Sequence, residues 1–400
     1  MTRTFDFIVQ SMSNGPAPDV DPSDSKIVLF ETLWSDPADG WAVASRANAR
    51  AMKQAGIDVR LHSWAPVSEH WKEIQHEVKG MLTACPKNGW GFYVFSTTLA
   101  SADRMEHPLN LLRSFRAPRS FYTTFERTYI EPKLATMLRD LDGIWVPCRA
   151  NQSVLEDAGV KSDCIPFPFF PDDPHLKLEP ISHEPKVFYW IGRWEPRKAP
   201  DNLVRAFIRA FSPGQAKLRM KFSPIPWALS QWLTFDQVVE QELAASYNSN
   251  RGWSKSNVYE NIEVIDKRLS VEEMVALHAE GDVYVTSSRG EGTDLPALQA
   301  KLSSRRVVAT ESGGPEDFLG PNDIKVPSDG LVAVDPAYGW GPGAMWTEYK
   351  LDALVEALQA ARSSRSDPTV WPKKNFEAAT VGRQFVEWIK KSAANAGREW

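Results

Sequence analysis

Cysteine is scarce in this chain. The three among 400 residues, Cys85, Cys148 and Cys164, are widely spaced and odd in number. That excludes a disulfide framework or a thiolate zinc cluster as the organising device and fits a reducing, cytoplasmic setting. Long apolar runs are missing as well: charges break every hydrophobic stretch well short of the roughly 18 residues a membrane-spanning helix needs. The opening Met1-Thr2-Arg3-Thr4-Phe5-Asp6 has no apolar core of a secretory signal. Histidine is thin, with seven scattered residues in no ligand-like spacing, so no resident metal or bound cofactor is expected. Positive charge is not in excess. Lys and Arg number 46 against 51 Asp and Glu, a net charge of -5, which argues against a general polyanion binder and leaves room only for a local basic patch. Internal repeats and low-complexity tracts are absent.

Tryptophan, by contrast, is abundant at 16 residues. Extra interior and rim packing accounts for such a count; exposed faces on which sugars stack are the alternative. The length suggests two domains. Residues 1 to about 25 read as an irregular lead-in. Lys26 to Glu31 reads as a buried strand, Gly40 to Ala55 as a helix stopped by Gly56, and Ile57 to Leu61 as a second strand. Strand, loop, helix, strand is the opening of a doubly wound parallel sheet. Strands at Gly91–Phe95, Ser120–Phe125 and Gly143–Val146 alternate with helices at Leu134–Asp140 and Asn151–Asp157. Six prolines between Pro166 and Pro185 make poor helix or strand material and read as a linker. Residues 223–259 read as a long excursion without a strong strand, and Asn375 to Ser392 as a helix with Phe376, Ala379, Phe385, Trp388 and Ile389 on its apolar face. The expected division is 1–170, a linker 171–185, 186–372, and a terminal helix within 373–400.

Three segments in the second half carry chemistry. Val187 to Gly192 is a short apolar strand ending in Gly-Arg, followed by Trp194-Glu195-Pro196-Arg197-Lys198-Ala199-Pro200-Asp201. About a hundred residues on, the strand-like Asp282 to Thr286 runs into Ser287-Ser288-Arg289-Gly290-Glu291-Gly292-Thr293-Asp294-Leu295-Pro296-Ala297-Leu298-Gln299. A third strand, Arg306 to Thr310, leads to Glu311-Ser312-Gly313-Gly314-Pro315. Cations after one strand, and a carboxylate with a helix start after another, suit a ligand that is part phosphate and part sugar. A helix N-terminus offers unpaired amides and partial positive charge, and Glu291 and Gln299 can hold hydroxyls.

At these residues the chain resembles the GT-B retaining glycosyltransferases of the Glu-x7-Glu group (glycosyltransferase family 4, or group 1, like). The family form E-G-[FTS]-[GD]-L-P-x-x-E-A stands here as E-G-T-D-L-P-A-L-Q-A, with Gln299 in place of the second Glu. The upstream pattern departs only at Ala199, where the family has Gly. The resemblance implies an α/β fold of two Rossmann-like doubly wound domains facing a cleft, with the acceptor on the first and the nucleotide-sugar donor on the second. It implies a hexosyltransferase that moves a sugar from a UDP- or GDP-sugar to an acceptor hydroxyl with retention, without an essential metal. Gly192, Arg193 and Lys198 would meet the donor diphosphate, together with the amides near Thr293, Asp294 and Leu295. Glu291 would face the donor sugar, and Gln299 one ribose hydroxyl. Arg193, Lys198 and Glu291 are the catalytic candidates, and the terminal helix would return to the first domain. A carboxylate at Asp294 would compete with phosphate for the helix amides, and Arg289 is either a surface charge or one more phosphate contact.

Acceptor residues are harder to place. Gly40, in the loop after the first strand, and Glu126, after the strand at Ser120–Phe125, are candidates; a buried salt bridge is the alternative for Glu126. Arg113, Arg116, Arg119, Arg127 and Lys133 interleave with Phe115, Phe121, Tyr122, Phe125 and Tyr129. The run is either strand core with solvated flanks or a patch for an anionic acceptor such as a lipid phosphate or a modified nucleic-acid base. Asp19-Val20-Asp21 and Asp140-Leu141-Asp142 match Asp-x-Asp only superficially, the latter as a helix end. An epimerase-like or non-catalytic nucleotide-sugar-binding protein of the same fold is the alternative function.

Overall fold

A computed structural model of the chain describes residues 26–37, 39–82, 91–113, 117–223, 233–246, 252–335, 338, 340–363 and 367–400. The lead-in, Cys85, Phe115, Arg116 and parts of the 223–259 segment lie outside them. The chain forms two compact units, one of Met1–Phe170, Tyr338–Ala344 and Lys373–Trp400, the other of Pro171–Ala337 and Met345–Pro372.

In the first unit, β1 (Ile27–Glu31), β2 (Asp58–His62), β3 (Phe92–Ser96), β4 (Arg119–Tyr122), β5 (Gly143–Val146) and β6 (Asp163–Cys164) form one parallel sheet in the order 2-1-3-4-5-6. Its central strands are apolar without alternation, Phe92-Tyr93-Val94-Phe95 being wholly buried, as expected of a sheet covered on both faces. The helices α1 (Gly40–Gln54), α2 (Ala102–Arg113), α3 (Pro132–Arg139) and α4 (Arg149–Asp157) alternate with the strands. The Asp39 side chain caps α1 by accepting from the Ala42 amide at 3.0 Å. β4 is shorter than its composition suggests. Beyond it the Asn151 side chain takes over the backbone, accepting from Phe125 N at 3.2 Å and donating to Phe125 O at 2.7 Å.

The C-terminal helix, Ala378–Asn395, packs on this unit through Val381, Phe385, Trp388 and Ile389. The Trp145 indole meets Phe385 and Trp388 edge-on at 5.0 and 4.8 Å and stacks on Tyr122 at 4.4 Å. Ala379 is exposed and Ala378 takes the buried position. Tryptophan serves mainly as interior here: Trp34, Trp64, Trp145, Trp190, Trp194, Trp346 and Trp388 are all buried.

In the second unit the strands are β7 (Val187–Arg193), β8 (Lys217–Ser223), β9 (Ile262–Ile265), β10 (Val283–Thr286), β11 (Arg306–Thr310) and β12 (Ile324–Val326). They form a parallel sheet in the order 12-11-10-7-8-9. The order reverses between β7 and β10, the arrangement whose crevice beyond the strand ends receives ligands. A hairpin, β13 (Leu331–Ala333) with β14 (Met345–Thr347), stands apart from it. The helices are α5 (Pro200–Ala210), α6 (Phe235–Ser246), α7 (Lys255–Asn261), α8 (Val271–Glu280), α9 (Leu295–Leu302) and α10 (Leu351–Ser363). The 223–259 segment, read above as an excursion, thus contributes α6 and most of α7. Val238, Val239 and Val258 are fully buried in the core against α5. The prolyl stretch also holds a short 3-10 turn, Pro174–Lys177, with His175 buried.

Close approach of the terminal helix depends on Gly143 at the start of β5. A Cβ there would lie 2.7 Å from Ser392 Cβ, far inside van der Waals contact. Gly143→Ala should lower the stability of the first unit by about 1–3 kcal/mol, with partial recovery in Gly143→Ala/Ser392→Gly. Urea unfolding followed by tryptophan fluorescence reads both.

Candidate functional site

β7 and β10 pair at only two positions, Phe188 with Val283 and Tyr189 with Tyr284, whereas β7 and β8 pair over all seven residues. Beyond Tyr284 the strands part, and the segments following them are bound together by polar contacts. The Ser287 hydroxyl donates to the carbonyls of Lys198 and Ala199 at 2.9 and 3.0 Å. Arg289 N donates to Arg197 O at 2.7 Å, and the Arg289 guanidinium to Pro196 O at 2.6 Å. Arg289 also pairs with Glu348 at 3.2 Å, so its charge is tied to the loop and not loose on the surface.

These contacts bring the first two motifs into register. Lys198 Nζ stands 2.6 Å from Glu291 Oε1 and Arg197 Nη1 3.2 Å from the same atom. Arg197 also pairs with the buried Glu195 at 2.9 Å and donates to Gly290 O at 2.7 Å. The third motif closes beneath: Gly314 N donates to Glu291 O at 3.0 Å. A Cβ on Gly314 would come within 2.6 Å of Thr293 Cα, so only glycine lets that backbone approach.

Ala199 occupies the left-handed region (φ 44°) just before Pro200 opens α5, a conformation that favours glycine. Asp294 is left-handed too (φ 59°) and caps α9, accepting from Ala297 N at 3.4 Å. The cap expected at this helix start is therefore present, although the bond is long.

Gly192, beside the Trp190 indole, and Arg193 end β7. Arg193 is half exposed and pairs with Glu195 at 4.0 Å, whereas Lys198 and Arg197 take Glu291. Thr293 and Leu295 are half-buried beside Asp294. Gln299 lies half-buried on α9, beside the buried His278 ring.

The two carboxyls are driven apart. Burial pushes Glu291 up, but Lys198 and Arg197 outweigh it and hold the group at about 2. For Asp294 burial dominates: Lys198 offsets it, the charge of Glu291 adds to it, and the net direction is upward. Glu291 is thus the firmly ionised member of the pair.

Three groups were not singled out in the sequence. Arg197 and Glu195 lay inside a quoted motif, but their roles need a loop 94 residues away. Lys221, on β8 beside Ile191, is buried, which pushes its ammonium pKa down; only its place near the end of a strand hinted at it. Among the described residues no cluster of three His, Cys, Asp or Glu has metal-binding geometry.

In the first unit Gly40 is exposed at the start of α1, and Glu126 is half-buried beyond β4. The described members of the basic run there are engaged internally. Arg113 pairs with Asp140, Arg119 with Asp142, and Lys133 with Asp103 and Glu106. Arg127 is buried, donating to the carbonyls of Ala100 and Trp340. Asp140 caps the end of α3.

In fold, the chain is similar to Anabaena HepE solved with UDP and glucose (TM-score 0.60, 14% identity, 90% of this chain and 98% of that one). It is similar also to a trehalose-phosphate synthase of Burkholderia xenovorans solved with glucose-6-phosphate (0.59, 12%, 91% and 99%). Sucrose-phosphate synthase of Thermosynechococcus elongatus is a third (0.53, 14%, 93% and 96%). The fold is GT-B. At these identities the likeness establishes architecture alone. No protein-family profile and no curated protein matches the sequence. No helix among the described residues is long and apolar enough to cross a membrane.

The depressed carboxyl has a sign that can be checked. Stability from Glu291 ionisation is fully present above its ordinary value of about 4.3 and is lost as pH falls towards about 2. Asp294, raised, works the other way and is relieved by acid. Replacing Glu291 by Gln should therefore flatten the acid limb of stability. The gap between wild type and Glu291→Gln in urea midpoint should narrow steadily from pH 5 to pH 3; a constant gap would contradict the ionisation.

Proposed function

We propose that this protein is a retaining, metal-independent glycosyltransferase of the Glu-x7-Glu kind, moving a sugar from a nucleoside-diphosphate sugar to an acceptor hydroxyl. The observation that carries the reading is the contact of Lys198 with Glu291 at the strand-order reversal of the second unit. Cation and carboxylate there come from two motifs that the family resemblance assigns to the two ends of one donor. That fold neighbours were solved with UDP and with UDP-glucose supports a UDP-sugar as the first donor to try; a GDP-sugar is the second.

The roles follow from charge. Departure of a nucleoside diphosphate concentrates negative charge on its oxygens. Preorganised cations in a water-poor site stabilise that charge best. Arg193, exposed and able to present a planar fork, and Lys198, a compact point charge, take the diphosphate with the amides of Thr293, Asp294 and Leu295. Glu291, ionised, accepts from donor-sugar hydroxyls. Gln299 takes one ribose hydroxyl. The leaving phosphate itself assists the incoming hydroxyl on the same face, so neither an enzyme nucleophile nor a metal is required. Gly40 and Glu126 of the first unit remain the acceptor candidates. The paired basic run of that unit offers little for a nucleic acid or a lipid phosphate. The observation on the side of a non-catalytic binding protein is Gln299 where the family has Glu.

Thermal-shift measurements with UDP-, GDP- and ADP-sugars should identify a donor that raises the melting temperature. With it, Lys198→Ala and Glu291→Ala should each lower turnover by about 10²–10³-fold while the protein stays folded by circular dichroism. Slow release of free nucleoside diphosphate from donor alone marks a transferase. Binding without any release, with or without cell-extract acceptors, would identify the binding protein instead.

A further inference from the structure

Of the cations on the Glu291 side of the site, one is fixed and one is free to leave. Arg197 is 7% exposed at its side chain and held on several sides: by Glu195 at 2.9 Å, Gly290 O at 2.7 Å and Glu291 at 3.2 Å. Its own carbonyl accepts from Arg289 N and from the Ser288 hydroxyl at 2.7 and 3.2 Å, so its backbone is pinned as well. Lys198 sits on a four-carbon stem; its ammonium pairs with Glu291 at 2.6 Å, and its charge also faces Asp294. A lysine bound to one carboxylate can turn to a phosphate; a guanidinium shared among a carboxylate, a carbonyl and a second carboxylate cannot turn without uncovering buried charge.

We infer that Arg197 is the fixed counter-ion of Glu291, keeping that carboxylate charged and oriented when Lys198 is drawn off to the diphosphate of an incoming nucleotide. This rests on the donor-site reading above and adds a positioning residue to it. Without Arg197, the departure of Lys198 would leave Glu291 buried and unpaired near fresh negative charge. The other ionisable groups facing it are Asp294, at the α9 cap, and Tyr284, on β10. Both are acids, and neither can compensate. The carboxylate would then take a proton from the buffer, forming a neutral O–H, and nucleotide binding would become coupled to proton uptake.

Titration calorimetry of UDP binding, at pH 7 in buffers of different ionisation enthalpy, reads that proton directly. Subtracting the wild-type value cancels protonation of the nucleotide itself. Arg197→Met should take up close to one additional proton per UDP, and its affinity should weaken about tenfold per pH unit on the alkaline side. Arg197→Lys, which keeps the charge, should stay near the wild-type proton count. Because Arg197→Met also leaves the buried Glu195 with only the more distant Arg193 at 4.0 Å, Glu195→Gln/Arg197→Met provides the version with that charge removed, and it should show the same uptake. Adding Glu291→Gln to it should abolish the uptake; adding Asp294→Asn should not. Wild-type affinity and proton count in Glu195→Gln/Arg197→Met would overturn the assignment while leaving the donor site intact. Absence of binding by the wild type with both UDP and GDP would overturn the donor site, and this inference with it.

Discussion

A carboxylate with two cations, buried where the strand order of the second sheet reverses, is the constraint to which the surrounding residues conform. Three charged groups this close would be costly in a low-dielectric interior if any were left without partners. The loops after β7 and β10 are accordingly joined by hydroxyl and amide bonds from Ser287, Ser288 and Arg289. Those bonds hold the backbone in place so that the side chains can meet. The short pairing of β7 with β10 is the complementary condition. Two strands paired to their ends would leave no room for the loops to fold over each other.

The rest of that unit holds the strand starts steady. At the opposite end of the sheet Asp282 accepts from the amides of Lys186 and Val187 at 2.7 and 2.8 Å, tying the entry of β7 to that of β10. α9 is anchored by Lys301, wholly buried, which meets Asp323 at 2.7 Å and Pro368 O at 2.8 Å. Asp323 in turn accepts from Val307 N at 2.9 Å. The helix whose N-terminus enters the site is thereby fixed to the neighbouring strand β11. Position at the site therefore derives from polar anchors at the far ends of the same elements as well as from the apolar core.

Strand ends followed by Gly-Arg or by Gly-Glu-Gly, and a helix beginning Leu-Pro, are local signals, and their elements stand where the sequence placed them. What escaped depends on distance along the chain. Arg197 and Lys198 are neighbours, and nothing within the motif tells which is pinned; that is decided by Gly290 and Glu291, more than ninety residues on. The helix Phe235–Ser246 turns Phe235, Val238, Val239 and Leu243 to the core, but the stripe is broken by Glu242, a charged residue buried against Arg209 where the period calls for an apolar one. Ala378 and Ala379 could each complete the apolar face of the terminal helix, and the packing chose Ala378. Ala199 shows a different limit. Its left-handed backbone is what a glycine there would have announced, yet the chain adopts it with a Cβ present.

Gln299 faces the interior of the unit at His278. Its side chain lies beside the ring of His278, which is fully buried with Nδ1 2.8 Å from the Tyr189 hydroxyl and no hydrogen-bond partner at Nε2. Burial, with the nearby His175 and the Arg305 charge, pushes His278 well below its ordinary range, so the ring is neutral at physiological pH. A glutamate at 299 would favour the imidazolium and place an ion pair beneath α9, where the Arg305 guanidinium is already committed to the His278 and Glu179 carbonyls. An amide beside the neutral ring demands no charge. It keeps one acceptor and gains a donor where a carboxylate would offer two acceptors, which is why the ribose contact proposed above is to a single hydroxyl.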